Sequence, residues 1–348
     1  ELAELGAVYD SGALSNRNLV INGAMNVAQR GTSSTGLGAT TGYYTVDRMS
    51  TAFNGTAGRL TMTQESITDL PGFTKCVKLA CTTADTSIAA AEYLLFAQSI
   101  EGQNLQHLAK GTSSAKKITV SFYVKGNAAA TYVCELQDSN SREISKSFSV
   151  TTDWTRVVLT YDGDTSGTLP NTNARGMSIQ LWLHAGSNFN SGSAGDLNTS
   201  WSAAGTGERA AGIDSFFDST SRTFFITGVQ MEVGDTATDF EHRSYADELQ
   251  RCQRYYWYLG KAANKVLIGG SVNSAADDYG GFIPYPVQMR TTPTFTKNGT
   301  WTVSNCAQPN MVFFDDRAGT LYAAVSGAGT WYAHTNGTDD YMEWDAEL

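Results

Sequence analysis

Charge is scarce in this 348-residue chain, where Asp, Glu, Lys and Arg together supply 17% of the residues. Basic residues are the scarcer sign, 24 against 34 acidic, for a formal net charge of −10. That balance provides no extended basic track, which argues against nucleic acid as a partner. No apolar run approaches the length that spans a bilayer, so no membrane insertion is expected, and no secretory signal pattern opens the chain. Glu1 in place of Met reads as the start of a fragment or a trimmed chain. Cys76, Cys81, Cys134, Cys252 and Cys306 form an odd set without a CxxC pair and read as buried free thiols.

Catalytic and metal signatures are missing too. His107, His184, His242 and His334 are scattered, and none falls in an HExxH or paired His/Cys pattern. There is no GxSxG elbow and no phosphate-cradling glycine loop ahead of a helix. Glycoside hydrolysis needs two carboxylates across one sugar. Asp277-Asp278 and Asp339-Asp340 offer such pairs by composition alone and read as solvated turns. Asp162-Gly163-Asp164 begins like a calcium loop but lacks a closing Glu where Asn173 stands, so it reads as a turn. The expectation is a chain without catalysis, cofactor or metal.

Glycine and aromatic residues are what the chain does have, 34 Gly and 11% Phe, Trp and Tyr. That mixture suits glycine-rich turns between many strands. Alternation is clean in Ile118, Val120, Phe122 and Val124, and again in Met177, Ile179, Leu181 and Leu183. Those two faces are expected to meet across a sandwich core. Further strands begin at Leu60, Cys76, Tyr93, Thr131 and Thr155. Many short strands with turn-rich gaps predict an all-β fold, an antiparallel jelly-roll sandwich.

The stretch from Phe224 to Gly260 is the seam of the chain. Val229, Met231 and Val233 alternate with Gln230 and Glu232, which predicts a strand with one buried side. The period then changes: Tyr245, Leu249, Cys252 and Tyr256 recur at helical spacing, with Ser244 and Asp247 as a capping pair and Gly260 as a stop. The predicted organisation is an N-terminal connector over 1–16, a sandwich over 17–243, a linking helix over 244–260 and a smaller β domain over 261–348. Leu2, Leu5 and Tyr9 in the connector read either as the end of a coiled-coil stalk or as a frayed terminus. Leu19 and Ile21 read as a short strand before an Asn22-Gly23 turn, and Asp47-Arg48 as an ion pair holding the early loop to the sheet. Pro284, Pro286 and Pro293 place the segments that carry them at sheet edges or bends.

Several segments carry a resemblance. ITGVQMEVG and ATDFEHRSYADELQRCQRYY resemble the text that closes the jelly-roll region of many bacteriophage tail-fibre and related virion proteins, with Met231 where Leu is usual and Asp239 where Pro is usual. NLVINGAMNVAQRG from Asn18 resembles the text that opens it, and in the following YYTVDRM, Met49 replaces the usual Trp. Gln98 to Gly102, the loop from Gly186 to Trp201 and the PVQMRTTPT run from Pro286 add to the likeness, which extends from Asn18 to the end. The resemblance implies the distal region of a tail fibre on the virion: a jelly-roll carrier with a C-terminal β tip that binds a host receptor. It further implies a homotrimer joined to upstream fibre or tail proteins, with a host surface polysaccharide or lipopolysaccharide as partner. Connectors without a receptor and glycan-degrading tailspikes belong to the same families and stand as alternatives.

Sugars stack their apolar faces on aromatic rings and pair their hydroxyls with Asp, Asn and Arg. On that basis the candidate receptor residues are Trp331, Tyr332, His334, Asn336, Asp339 and Asp340, then Trp301, which lies near Asn298 and Asn305. Alternation requires one of Trp331 and Tyr332 to face inward. Trp201 has two readings, a sugar-stacking ring or an anchor pinning its loop to the sandwich. The stripe Tyr245, Leu249, Cys252 and Tyr256 is the candidate surface for trimer packing.

Overall fold

The computed structural model describes residues 16–191, 196–205, 207–265, 267–274 and 276–348. The connector residues Leu2, Leu5 and Tyr9, and Gly192 of the polar loop, lie outside them. The chain divides into two compact units, the first reaching Tyr245 and the second spanning Ala246–Glu347.

The first unit is an antiparallel jelly-roll sandwich. In chain order its strands are β1 (Ser33–Leu37), β2 (Gly42–Tyr43), β3 (Ser50–Asn54), β4 (Arg59–Ser66), β5 (Lys75–Thr83), β6 (Tyr93–Glu101), β7 (Ile118–Gly126), β8 (Ala130–Asp138), β9 (Arg142–Val150), β10 (Thr155–Tyr161), β11 (Arg175–Ala185), β12 (Ser202–Ala203) and β13 (Thr223–Val233). One sheet runs in the order β1-β4-β5-β13-β7-β10, the other β12-β9-β8-β11-β6-β3-β2. The alternating faces of β7 and β11 meet in one hydrophobic core, as their period of two requires.

Strand β13 departs from the one-sided expectation, because Gln230 and Glu232 are buried as fully as Met231 while Val233 is 37% exposed. The segment after it folds back over the polar face. Gln230 accepts from Glu241 N and donates to Asp239 O, and Glu232 accepts from Thr238. The predicted strand at Leu19 and Ile21 is instead a bent segment, with Val20 rather than its neighbours in the core. It is held crosswise. Leu19 N donates to Met231 O, Asn18 Oδ1 accepts from Met231 N, and Asn18 Nδ2 donates to Val229 O. The turn at Asn22-Gly23 does form, and a Cβ at Gly23 would lie 2.0 Å from Val229 O, so only glycine fits there. Asp47 accepts from Gln29 and Arg48 donates to Ser99 O, so both tie the opening segment down.

The linking helix is shorter than its periodicity suggested. Helix α1 covers Tyr245–Gln253, and Tyr256–Gly260 is strand β14, paired with the end of the chain. The run of aromatic residues Tyr255 to Tyr258 suits a pleated, half-buried surface, and cross-strand pairing overrides the helical spacing there. The stripe proposed for trimer packing therefore does not exist as one helical face. Tyr245 is 59% exposed, whereas Cys252 and Tyr256 are buried within the chain itself and Tyr256 Oη donates to Glu343.

The second unit continues with β15 (Leu267–Val272), β16 (Ala276–Pro284), β17 (Thr294–Asn298), β18 (Thr302–Ser304), β19 (Asn310–Val312), β20 (Ala318–Val325), β21 (Gly329–His334) and β22 (Tyr341–Asp345). They pair as three three-stranded sheets, β14-β22-β17, β15-β21-β18 and β16-β20-β19. The unit is thus one antiparallel ribbon broken twice, with the last three strands running back between the two earlier runs. Pro284 ends the edge strand β16, where its missing N–H costs no ladder bond. The core is aromatic, built on Trp257, Trp301, Trp331, Trp344 and Tyr285.

Candidate functional site

Strand β21 supplies the site. Its alternation turns Trp331, Ala333 and Thr335 inward, all buried, and Tyr332 outward at 39% exposure. His334 lies on the same outer face two positions on, its ring stacked on Tyr332 with centroids 5.7 Å apart and planes at 24°. Of the cross-strand neighbours, three are small or hydroxylated and one is apolar: Tyr332 faces Gly269 on β15 and Ser304 on β18, and His334 faces Thr302 and Leu267. Leu267 is 67% exposed. Ser271 and Thr330 share a hydrogen bond at 3.3 Å on the same face. A Cβ at Gly269 would come within 3.1 Å of Tyr332 Cβ, so glycine there leaves the aromatic residue room. The result is a two-ring aromatic platform ringed by hydroxyls, a surface suited to the apolar face of a sugar and its hydroxyl edge.

The remaining candidates separate into exposed and buried groups. Asn336 and Asp339 are exposed on the turn after β21, but Asp340 is buried and accepts from Asn336 N at 2.6 Å, which makes it a turn anchor. Trp331 and Trp301 belong to the aromatic core, and Trp301 Nε1 donates to Asn298 O at 3.3 Å. Neither is placed to meet a ligand. Trp201 anchors its loop: Nε1 donates to Asp162 O at 2.6 Å, Arg142 donates to its carbonyl, and Lys110 Nζ lies 5.2 Å from the ring centroid. Asp164, from the stretch read as a turn, takes ion pairs from both Lys110 and Arg142 at 2.7 Å. The side chains of Asp277 and Asp278 lie outside the described residues.

The sandwich has two constellations that sequence spacing concealed. Glu135 on β8 and Glu143 on β9 are fully buried and both pair with Arg209, which comes from the loop covering that sheet. Burial and the Glu135 charge push the Glu143 carboxyl up to about 8, against the pull of Arg209. With the guanidinium bound to both and the loop above them, the pair is closed to a polysaccharide. The second constellation is Asp85, Glu92 and His184, also buried, with ligand-type atoms all within 4.8 Å of one another. Burial pulls the His184 pKa below its ordinary value, against the opposing effect of Glu92 and Asp85. Burial opposes ionisation of Asp85, yet hydrogen bonds from Thr56 and Ala57 outweigh it and hold its carboxyl low.

The two motifs that open and close the sandwich meet each other in the structure. Asn18 to Gly23 packs on Val229 and Met231, and Glu241 and Arg243 close over it, with Glu241 accepting from Asn18 N and Arg243 donating to Val20 O. These motifs are the closing seam of the sandwich.

Neither a protein-family model nor a curated protein sequence matches this chain. Among solved structures it is similar to one described as CBM4 structure and function, at 11% identity and TM-score 0.31, over 61% of this chain and 97% of that one. It is similar to the enzymatically active domain of tailspike protein 4 of bacteriophage CBA120, at 12% identity and TM-score 0.32, over 62% and 21%. It is likewise similar to TmCBM61 in complex with beta-1,4-galactotriose, at 9% identity and TM-score 0.32, over 63% and 99%. Likeness at this level carries nothing about what this chain binds or does.

Proposed function

We propose that the chain is the host-contacting part of a phage tail fibre, an adhesin that binds a surface glycan without cleaving it. The observation that carries this reading is the exposed Tyr332–His334 stack on the outer face of β21, among Gly269, Thr302, Ser304 and Thr330. The family resemblance supports the virion setting, and the jelly-roll unit serves as carrier. In this reading the working assembly is a trimer attached to upstream fibre proteins. Its contacts exclude Cys252 and Tyr256, which are buried within the chain.

The direct test pairs binding with stability. Tyr332→Ala and His334→Ala are expected to abolish retention on host polysaccharide or lipopolysaccharide while leaving the melting temperature in place. Trp331→Ala, a core substitution, should lower the melting temperature. Undiminished binding by both platform variants would move the receptor site elsewhere. New reducing ends or unsaturated sugars after incubation would replace the adhesin with a tailspike enzyme, and a monomer in light scattering would remove the trimer.

A further inference from the structure

The cluster at one end of the sandwich has the properties of a metal site. Asp85 lies in the connection after β5, Glu92 immediately precedes β6, and His184 sits near the end of β11. A bulge in the β11–β6 register between Trp182 and His184 sets the direction of the imidazole, the kind of local re-aiming that bulges provide. The His184 side chain is 0% exposed and that of Glu92 9%. Their facing atoms, His184 Nε2 and Glu92 Oε2, are 3.5 Å apart, and among the described residues neither has a hydrogen-bond partner. Two buried polar atoms left in this condition carry a desolvation cost that an ion between them would remove.

The outer contacts are those of a ligand set held in place. His184 Nδ1 lies 2.8 Å from Ser215 Oγ, which fixes the ring and turns Nε2 towards the carboxylates. Asp85 Oδ2 accepts from Thr56 Oγ1 and Ala57 N at 2.8 Å. With metal–ligand bonds of about 2.0–2.1 Å, neighbouring ligand atoms on a tetrahedral ion sit about 3.4 Å apart, close to the observed His–Glu separation. An imidazole with two carboxylates suits zinc and similar divalent transition ions better than calcium, which prefers an all-oxygen shell.

We propose that Asp85, Glu92 and His184 bind one divalent transition-metal ion, with zinc the best fit to the donor set. Its role is structural. All three residues are buried, so no polysaccharide reaches the ion, and binding it fastens the connection from β5 to β6 onto β11. The competing arrangement is a plain buried Glu–His ion pair.

Chelator-stripped chain titrated with Zn²⁺, Mn²⁺ and Ca²⁺, followed by elemental analysis and calorimetry, separates the two. Expected are stoichiometric zinc and a rise of about 5 °C in the sandwich transition, reversed by chelator. Co²⁺ should give the visible absorption of a tetrahedral site. Glu92→Gln and His184→Gln should each lose the zinc response; if either fails to fold, the wild-type titration and cobalt spectrum still decide. No bound ion and no thermal shift would overturn the proposal in favour of the ion pair. A response to Ca²⁺ alone would overturn the donor assignment, and zinc retained by both variants would overturn the location.

Discussion

The two units solve the same problem, enclosing antiparallel strands, in different ways. The sandwich uses long strands and a mainly aliphatic core with phenylalanines set into it, and buries polar groups on its outer faces under loops, as with Gln230 and Glu232 beneath 235–243 and Glu135 and Glu143 beneath Arg209. The terminal unit has shorter strands and fills its interior with indoles: Trp257 and Trp344 lie with ring centroids 4.2 Å apart, and Tyr285 and Phe295 pack on Trp344. Its middle sheet leaves Tyr332 and Leu267 in the open. A large core tolerates covered outer faces, whereas a unit of this size has little chain left over for lids. The difference fits the covered polar faces of the sandwich and the placing of the candidate contact surface on the smaller unit.

The largest expected effect tests whether the units are energetically separate. Trp344→Ala removes a fully buried ring and is expected to cost about 3–5 kcal/mol, confined to the terminal unit. Calorimetry should show the transition of the terminal unit displaced and the sandwich transition unmoved; a common shift of both would break the comparison. Next is the sandwich seam. Gly23→Ala forces a methyl against Val229 O and is expected to cost about 1–3 kcal/mol in the sandwich transition alone. A neutral result in urea melts would mean that the seam gives way without cost.

A pH series sharpens the contrast in buried charge. Glu143 has its pKa raised in the folded chain from an ordinary 4.5 to about 8, so the folded state holds the proton more tightly than the unfolded one. Its contribution to stability is complete below 4.5 and is lost as pH rises through about 8. Melting temperatures between pH 5 and 9 should therefore slope downward for the sandwich, and Glu143→Gln should flatten that slope; an unchanged slope would assign it to other groups. The smallest effect on stability belongs to the platform. Tyr332→Ala should change unfolding free energy by no more than about 0.5 kcal/mol, because the residue lies on the outer face of β21 and is 39% exposed. A larger loss would make Tyr332 a packing residue rather than a contact.

Much of the fold was legible because it is local. Alternation in Ile118 to Val124 and Met177 to Leu183 marks strands, since period two is a property of the backbone itself. β9 was missed: in REISKSFSV Lys146 breaks the inward row of Ile144, Phe148 and Val150, and Glu143 and Ser145 on the other face are buried as well. The helical stripe misled at Tyr256 for the same reason, since pairing with Asp345 is decided by a partner far along the chain.

Of the candidate site, the sequence alone determined that one of Trp331 and Tyr332 faces inward, and that aromatic residues there stand close to polar ones. It also determined an all-β chain of low charge with opening and closing motifs of one type. Only tertiary structure decided that Trp331 is the inward ring, that Gly269 and Ser304 flank Tyr332, and that the two motifs knit a single seam. It alone brought His184 to Asp85 and Glu92. Spacing along a strand reports which face a residue takes, but which residues meet across strands and sheet ends depends on register and loop closure, and those are set by contacts between distant parts of the chain.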